Sequence, residues 1–143
     1  EKIKNGSFKP KNNKWTNWTA FDSLTNKKYR SRWELIWHLA YPYLNYENIR
    51  IPYYDSDGEK HIYIIDFEDS KNKILYEIKP ISEIDTDKNI RKKEAALKYC
   101  LDNGYDYIII TEDKILEAFN KVSKEQLTED LCKLKKQLQK LLK

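Results

Sequence analysis

Cysteine is nearly absent from this chain of 143 residues. Cys100 and Cys132 are the only two, too few for a disulfide framework and without the spacing of a zinc site. Glycine is scarce as well, with three residues, so no glycine-rich phosphate loop can be built. No run approaches the roughly 18 apolar residues of a membrane helix, and no apolar signal region opens the chain. The expected setting is therefore reducing and cytoplasmic, with no membrane partner. The length suits one domain, since roughly 100–200 residues per domain is usual. The first residue is Glu1 rather than Met, which leaves room for residues upstream.

Aromatic residues are what the chain has in quantity: 11 Tyr, 4 Trp and 4 Phe supply enough apolar area for a packed core. Charged residues reach 35%, yet strand-like and helix-like apolar segments are plain, which argues against global disorder. Net charge is only +4, but it is unevenly spread. Residues 1–32 hold nine basic residues against Glu1 and Asp22, and residues 133–143 hold five lysines and no acid. Basic ends around an acidic middle suit a protein that grips a polyanion and holds cations near its centre. They suit plain solvated, lysine-rich termini equally well.

Residues 1–28 show no period and carry Gly6, Pro10 and several Asn, as expected of an irregular basic arm pinned by Phe8, Trp15, Trp18 and Phe21. From Tyr29 to Leu44 the positions Trp33, Ile36, Trp37, Ala40 and Leu44 recur at helical spacing, with Pro42 near the end. Ile49–Tyr54 reads as a strand, followed by a turn over Asp55–Gly58. His61–Glu68 reads as a second strand and Lys73–Lys79 as a third, closed by Pro80. Asn89–Leu101 is helical with Gly104 as its cap, Tyr105–Thr111 is an apolar strand that Asp106 begins, and Asp113–Asn120 is a short helix. From Ser123 a last helix spaces Leu127, Leu131, Leu134, Leu138 and Leu141 by four and three. That stripe either packs on its own domain or forms the seam of a homodimer. The order α-β-β-β-α-β-α-α predicts an α/β fold, a mixed β-sheet flanked by α-helices. The division is an arm over 1–28, a core over 29–122 and a C-terminal amphipathic helix over 123–143.

The chemistry concentrates on Asp66 and on Tyr76-Glu77-Ile78-Lys79. Alternate residues of a strand share a face, so Glu77 and Lys79 project together. A two-residue turn at Lys71-Asn72, with Asn tolerating the left-handed conformation, sets Asp66 directly opposite Glu77, with β-carbons about 5 Å apart. Two carboxylates at that distance repel unless a cation lies between them. Oxygen ligands with a lysine beside them favour Mg²⁺ over zinc. An edge salt bridge between Glu77 and Lys79 is the plainer reading of the spacing. The apolar neighbours Ile62, Ile64, Ile65 and Phe67 around Asp66, and Ile74, Leu75 and Ile78 around Glu77, favour a functional cluster, because a carboxylate in such a strand needs a partner.

Asp66 followed by Glu77-Ile78-Lys79 resembles the PD-(D/E)xK nuclease superfamily, whose core is a restriction-endonuclease-like mixed sheet between helices. Phe8-Lys9-Pro10-Lys11, Tyr29-Arg30-Ser31-Arg32-Trp33-Glu34, Ile51-Pro52-Tyr53, Tyr76–Pro80 and Ala95–Cys100, with Gly104-Tyr105 and Thr111-Glu112, are similar to tailed-phage head-completion nucleases and TnsA-type transposon endonucleases. The resemblance spans roughly residues 7–115. Ile65 stands where the superfamily name expects proline, and the tail from Ser123 lies outside the shared pattern.

The resemblance implies that Asp66, Glu77 and the Ile78 carbonyl ligate the metal, that Glu34 binds it directly or through water, and that Lys79 acts on the nucleophile. Lys92, on the helix beside the site, would touch the scissile phosphate or be a solvated helix lysine. Glu34 has a rival reading as a helix-surface acid paired with Arg30. His61 is a general base or a turn-proximal surface residue, His38 is structural, and Glu68 and Asp69 face solvent at the turn. The function implied is a Mg²⁺-dependent DNA endonuclease, with Mn²⁺ substituting, in phage or mobile-element DNA processing and so in the host-cell cytoplasm. The basic arm, Arg30, Arg32 and the lysine-rich last helix would hold double-stranded DNA. The alternatives are a site-specific homing or restriction-type endonuclease, and a non-catalytic DNA-binding or phage assembly module on the same fold.

Overall fold

A computed structural model of the chain describes residues 20–22 and 25–143. Most of the basic arm, including Phe8, Trp15 and Trp18, lies outside the described residues. Where the arm ends it is regular: β1 (Ala20–Asp22) and β2 (Lys27–Tyr29) form an antiparallel hairpin. Phe21 is exposed, at 50%.

α1 (Arg32–Ala40) begins three residues later than the apolar spacing suggested. Ser31 caps it, its side chain accepting the Glu34 N–H, and the chain before that cap belongs to the hairpin. Leu44 lies past the helix end but is buried all the same. Then come β3 (Asn45–Tyr46), β4 (Arg50–Tyr54), β5 (Lys60–Ile64), β6 (Phe67–Asp69) and β7 (Ile74–Ile78). α2 (Asp87–Asn103), β8 (Asp106–Ile110), α3 (Glu112–Ala118) and α4 (Glu129–Leu141) complete the chain. Gly104 closes α2 in the left-handed conformation at φ 74°, as its position past the last periodic residue predicts. Among the described residues no helix is long and apolar enough to cross a membrane.

The strand expected over His61–Glu68 is two strands. β5 pairs with β4 as a separate ribbon, whereas β6 joins a four-stranded sheet of order β3-β6-β7-β8. The chain changes sheets at Ile65 and Asp66. β6 runs antiparallel to β3 and β7, and β7 runs parallel to β8. The result is the mixed sheet flanked by helices that the element order implied.

β6 and β7 pair Phe67 with Tyr76, Glu68 with Leu75 and Asp69 with Ile74, the register predicted from the turn. The ladder ends there: Asp66 lies in the bend before β6 and reaches β7 through its side chain, not through a further rung. The turn itself differs. It spans residues 70–73, and Lys73 rather than Asn72 is left-handed, at φ 60°. Asn72 instead donates its backbone and side-chain N–H groups to Asp69, at 3.0 and 2.9 Å. Adding one residue to each side of the turn leaves the pairing unchanged. Asp69 and Glu68 are buried, not solvent-facing. Glu68 accepts from Asn45, Asn48 and Tyr105, donors distant in sequence.

Two cores flank the sheet. Ile36, Trp37, Phe67, Ile78, Ile110 and Leu134 belong to one, built with α1, α3 and α4. Ile51, Tyr53, Tyr63, Leu75, Ala96 and Cys100 form the other, between the ribbon, α2 and β7. β7 feeds both: Leu75 enters the second and Ile78 the first, so Glu77 shares the α2-facing side with Leu75.

α4 starts at its Thr128 cap, later than Ser123, because residues 124–126 form a separate tight turn. Leu127 is therefore off the helix. Leu131, Leu134 and Leu138 are buried in the first core, while Leu141 is 64% exposed. With its leucines engaged inside the chain, the stripe gives no support to a homodimer seam. Leu134→Ala should cost about 2–4 kcal/mol in urea unfolding, whereas Leu141→Ala should fall within about 0.5 kcal/mol of the parent. Equal losses at both positions would restore the continuous heptad seam.

Candidate active site

Glu34, Asp66, Glu77, Ile78, Lys79 and Lys92 line one cleft of about 320 Å³. They arrive from four parts of the fold. Glu34 stands in the first turn of α1, Asp66 sits at the change of sheets, and β7 brings Glu77 and, one residue beyond its end, Lys79. Lys92 reaches across from α2, with its ammonium 5.2 Å from the centre of the Tyr63 ring. It is a cleft residue, not a fully solvated one.

The Asp66 carboxylate accepts the Ile78 N–H at 2.7 Å, which aims it at β7. Lys79 Nζ lies 3.5 Å from Glu77 Oε2. Lys79 is held from behind: its N–H donates to the Ile110 carbonyl at 2.9 Å, and the Ile81 N–H donates to Glu112 Oε1 at 3.0 Å. Glu112 is buried and so clamps the turn that follows Lys79, which accounts for Thr111-Glu112 in the sequence pattern.

Glu34 is not a surface acid paired along a helix with Arg30, because Arg30 precedes α1. Its Oε1 accepts from the Tyr46 hydroxyl at 2.6 Å and its Oε2 from the Ser31 hydroxyl at 3.0 Å. Arg30 also lines the cleft, with Nε donating to Glu47 Oε2 at 2.8 Å. Tyr46, Glu47 and Tyr63 are the residues that the sequence reading missed, and Glu112 was seen there only as part of a motif, without a role. β3, which carries Tyr46, is two residues long and gives no periodic signal.

The charge balance is unfavourable to the acids. Burial, then the charges of Glu77 and Glu34, push the Asp66 carboxyl well above its ordinary range, and the Ile78 N–H only partly opposes this. Burial also raises Glu34, against the hydrogen bonds from Tyr46 and Ser31. Glu77 is buried, and among the described residues its Oε1 has no hydrogen-bond partner. A buried carboxylate oxygen without a donor, beside a second carboxylate, is a site that a hard divalent cation fits. The three carboxylates do not gather as tightly as Asp55, Glu59 and His61, whose ligand atoms lie within 4.8 Å of one another. That group stands at the tip of the β4–β5 ribbon, where Asp55 accepts from the backbone of Asp57 and Glu59 and from His61, so turn geometry explains it. His61 stacks on Tyr53 there and is not among the residues that line the cleft.

A larger cavity, about 530 Å³, is bordered by His38 but by none of these acids. Its Nε2 faces the Leu44 carbonyl at 2.8 Å and must donate, so Nδ1 accepts from the Tyr29 hydroxyl at 2.7 Å. Burial lowers its pKa, which keeps the ring neutral. His38 is structural, as expected.

A mixed sheet between helices, with an acidic pair and a lysine converging from adjoining strands, defines a restriction-endonuclease-like fold. The chain from 42 to 112 matches the family described as TnsA-like endonuclease N terminal. The resemblance to that nuclease superfamily therefore holds, and it supports a nuclease-type function with DNA as substrate. The matched span contains Asp66, Glu77, Lys79 and Lys92 but not Glu34. No curated protein and no solved structure matches the chain.

A carboxyl whose folded pKa exceeds its unfolded value favours folding while protonated and loses that contribution as pH rises through the folded pKa. Without divalent cation, Asp66→Asn should raise the Tm at pH 7 by roughly 2–5 °C, and the gap should close toward pH 4. A lowered Tm at pH 7 would show that the carboxylates do not oppose one another.

Proposed function

We propose that this protein is a Mg²⁺-dependent endonuclease that hydrolyses phosphodiester bonds of double-stranded DNA, in the cytoplasm, during DNA processing by a phage or mobile element. The observation that carries this reading is the buried Glu77 Oε1, which has no donor among the described residues, beside Asp66 and with the Lys79 ammonium 3.5 Å from its sister oxygen. Asp66, Glu77 and the Ile78 carbonyl would hold the ion, with Glu34 reaching it directly or through water. Bound there, Mg²⁺ or Mn²⁺ would stabilise the charge that builds on the phosphate and the leaving oxygen.

The chain's own side chains supply the rest. Lys79 hydrogen-bonds the attacking water and counters phosphate charge from the same side as Glu77. Arg30 and Lys92, at the rim of the same cleft, hold the DNA backbone on either side of the scissile bond. These contacts are electrostatic and give a salt-sensitive affinity. Ile64 and Tyr63 form an apolar wall that limits bulk water around the reacting groups.

Supercoiled plasmid incubated with the full chain and Mg²⁺ should be nicked or linearised. Chelator should stop the reaction, Asp66→Ala should abolish it, and Lys79→Ala should slow it about 100-fold or more. Cutting that survives chelator or Asp66→Ala would sink the assignment. Tight, salt-sensitive binding without cleavage in Mg²⁺ or Mn²⁺ would identify a DNA-binding module on this fold.

A further inference from the structure

We infer that Tyr46 is a positioning residue for the cation site, acting through Glu34 with Ser31 as its counterpart. The inference rests on the cation-dependent reading above. Tyr46 Oη accepts the Arg30 N–H at 3.2 Å and donates to Glu34 Oε1 at 2.6 Å. Because the backbone amide takes its acceptor side, the hydroxyl proton is directed at the carboxylate. Ser31 Oγ does the same on the other side: it accepts the Glu34 N–H at 3.2 Å and donates to Oε2 at 3.0 Å. One donor on each oxygen fixes the carboxylate plane. An ionised carboxyl has about four lone-pair sites, so acceptor capacity remains on the side that faces the cleft.

Tyr46 is itself rigid. Its ring packs against Tyr29 and Phe67, with centroids 4.9 and 5.1 Å away. On the ladder it pairs with Phe67, the neighbour of Asp66, and the next residue, Glu47, donates its N–H to the Asp66 carbonyl at 3.0 Å. β3 therefore ties the acid on α1 to the acid at the change of sheets. Without the hydroxyl, Glu34 could turn about its side-chain bonds, and losing a group that orients a metal ligand typically costs about 10–100-fold in metal affinity.

The test is calorimetric titration of the full chain with Mn²⁺ alone, without DNA. Tyr46→Phe keeps the ring and should weaken Mn²⁺ binding about tenfold. Glu34→Gln should weaken it too, and adding Tyr46→Phe to Glu34→Gln should change nothing further, which a general loss of packing would not reproduce. If Tyr46→Phe fails to fold, Ser31→Gly decides, since glycine is tolerated at an N-cap: weaker Mn²⁺ binding supports the inference, and parent-like binding overturns it. Parent-like affinity in a folded Tyr46→Phe likewise overturns it. Should that occur while Asp66→Ala abolishes binding, only the positioning role is lost. Undiminished binding in Asp66→Ala overturns the cation site itself.

Discussion

Asp66 and Glu77 line one cleft just beyond the last rung of the β6–β7 ladder, at a place where water screens them poorly, and the surrounding structure is arranged around that repulsion. At about 5 Å and an effective dielectric near 20, two like charges repel by roughly 3 kcal/mol. An isolated hairpin would slip its register to escape this. Here it cannot, because a slip of one residue would turn Leu75 and Ile78 out of the two cores that they fill. The apolar burial that fixes β7 is therefore the same force that keeps the acids together. Lys79, one residue past the strand, shares the Glu77 face for the same reason of alternation.

The register of β6 on β7 was legible in the sequence because it depends only on strand alternation and on the midpoint of a turn. The turn proved longer than its composition suggested, yet it grew by one residue on each side and left the pairing intact. The break at Ile65 and Asp66 was not legible. An apolar run has the same composition whether its strand stays in one sheet or passes to another, and the hydrogen bond from Ile78 N–H to the Asp66 side chain depends on tertiary placement. The burial of Glu68 is of the same kind, since its donors Asn45, Asn48 and Tyr105 lie far along the chain. α4 shows a different limit. Leucine spacing carries the apolar stripe but does not say that the helix begins only at the Thr128 cap, which removes Leu127 from the seam.

The position of the cleft follows from having two cores rather than one. Glu34 comes from α1, packed in the first, and Lys92 from α2, packed against the second. At the bend between β5 and β6, side chains from both layers line the same cleft. The acids and the lysines of the cleft are thus supplied by elements with separate apolar support. A mutation that loosens one core should disturb the groups from that side before the others.

Glu47 shows how tightly this junction is held. Its backbone lies in the left-handed region at φ 54°, a conformation that costs a non-glycine residue about 1–3 kcal/mol and persists only where the surroundings over-determine it. Two interactions do so here: its N–H donates to the Asp66 carbonyl, and its carboxylate pairs with Arg30. Asp66 is consequently fixed at both ends, its carbonyl by Glu47 and its carboxylate by Ile78. A residue pinned in this way cannot turn its charge toward solvent to relieve the repulsion from Glu77. The strain at position 47 and the electrostatic strain at positions 66 and 77 are therefore one device, which holds an acidic pair in a geometry that it would leave if either restraint were released.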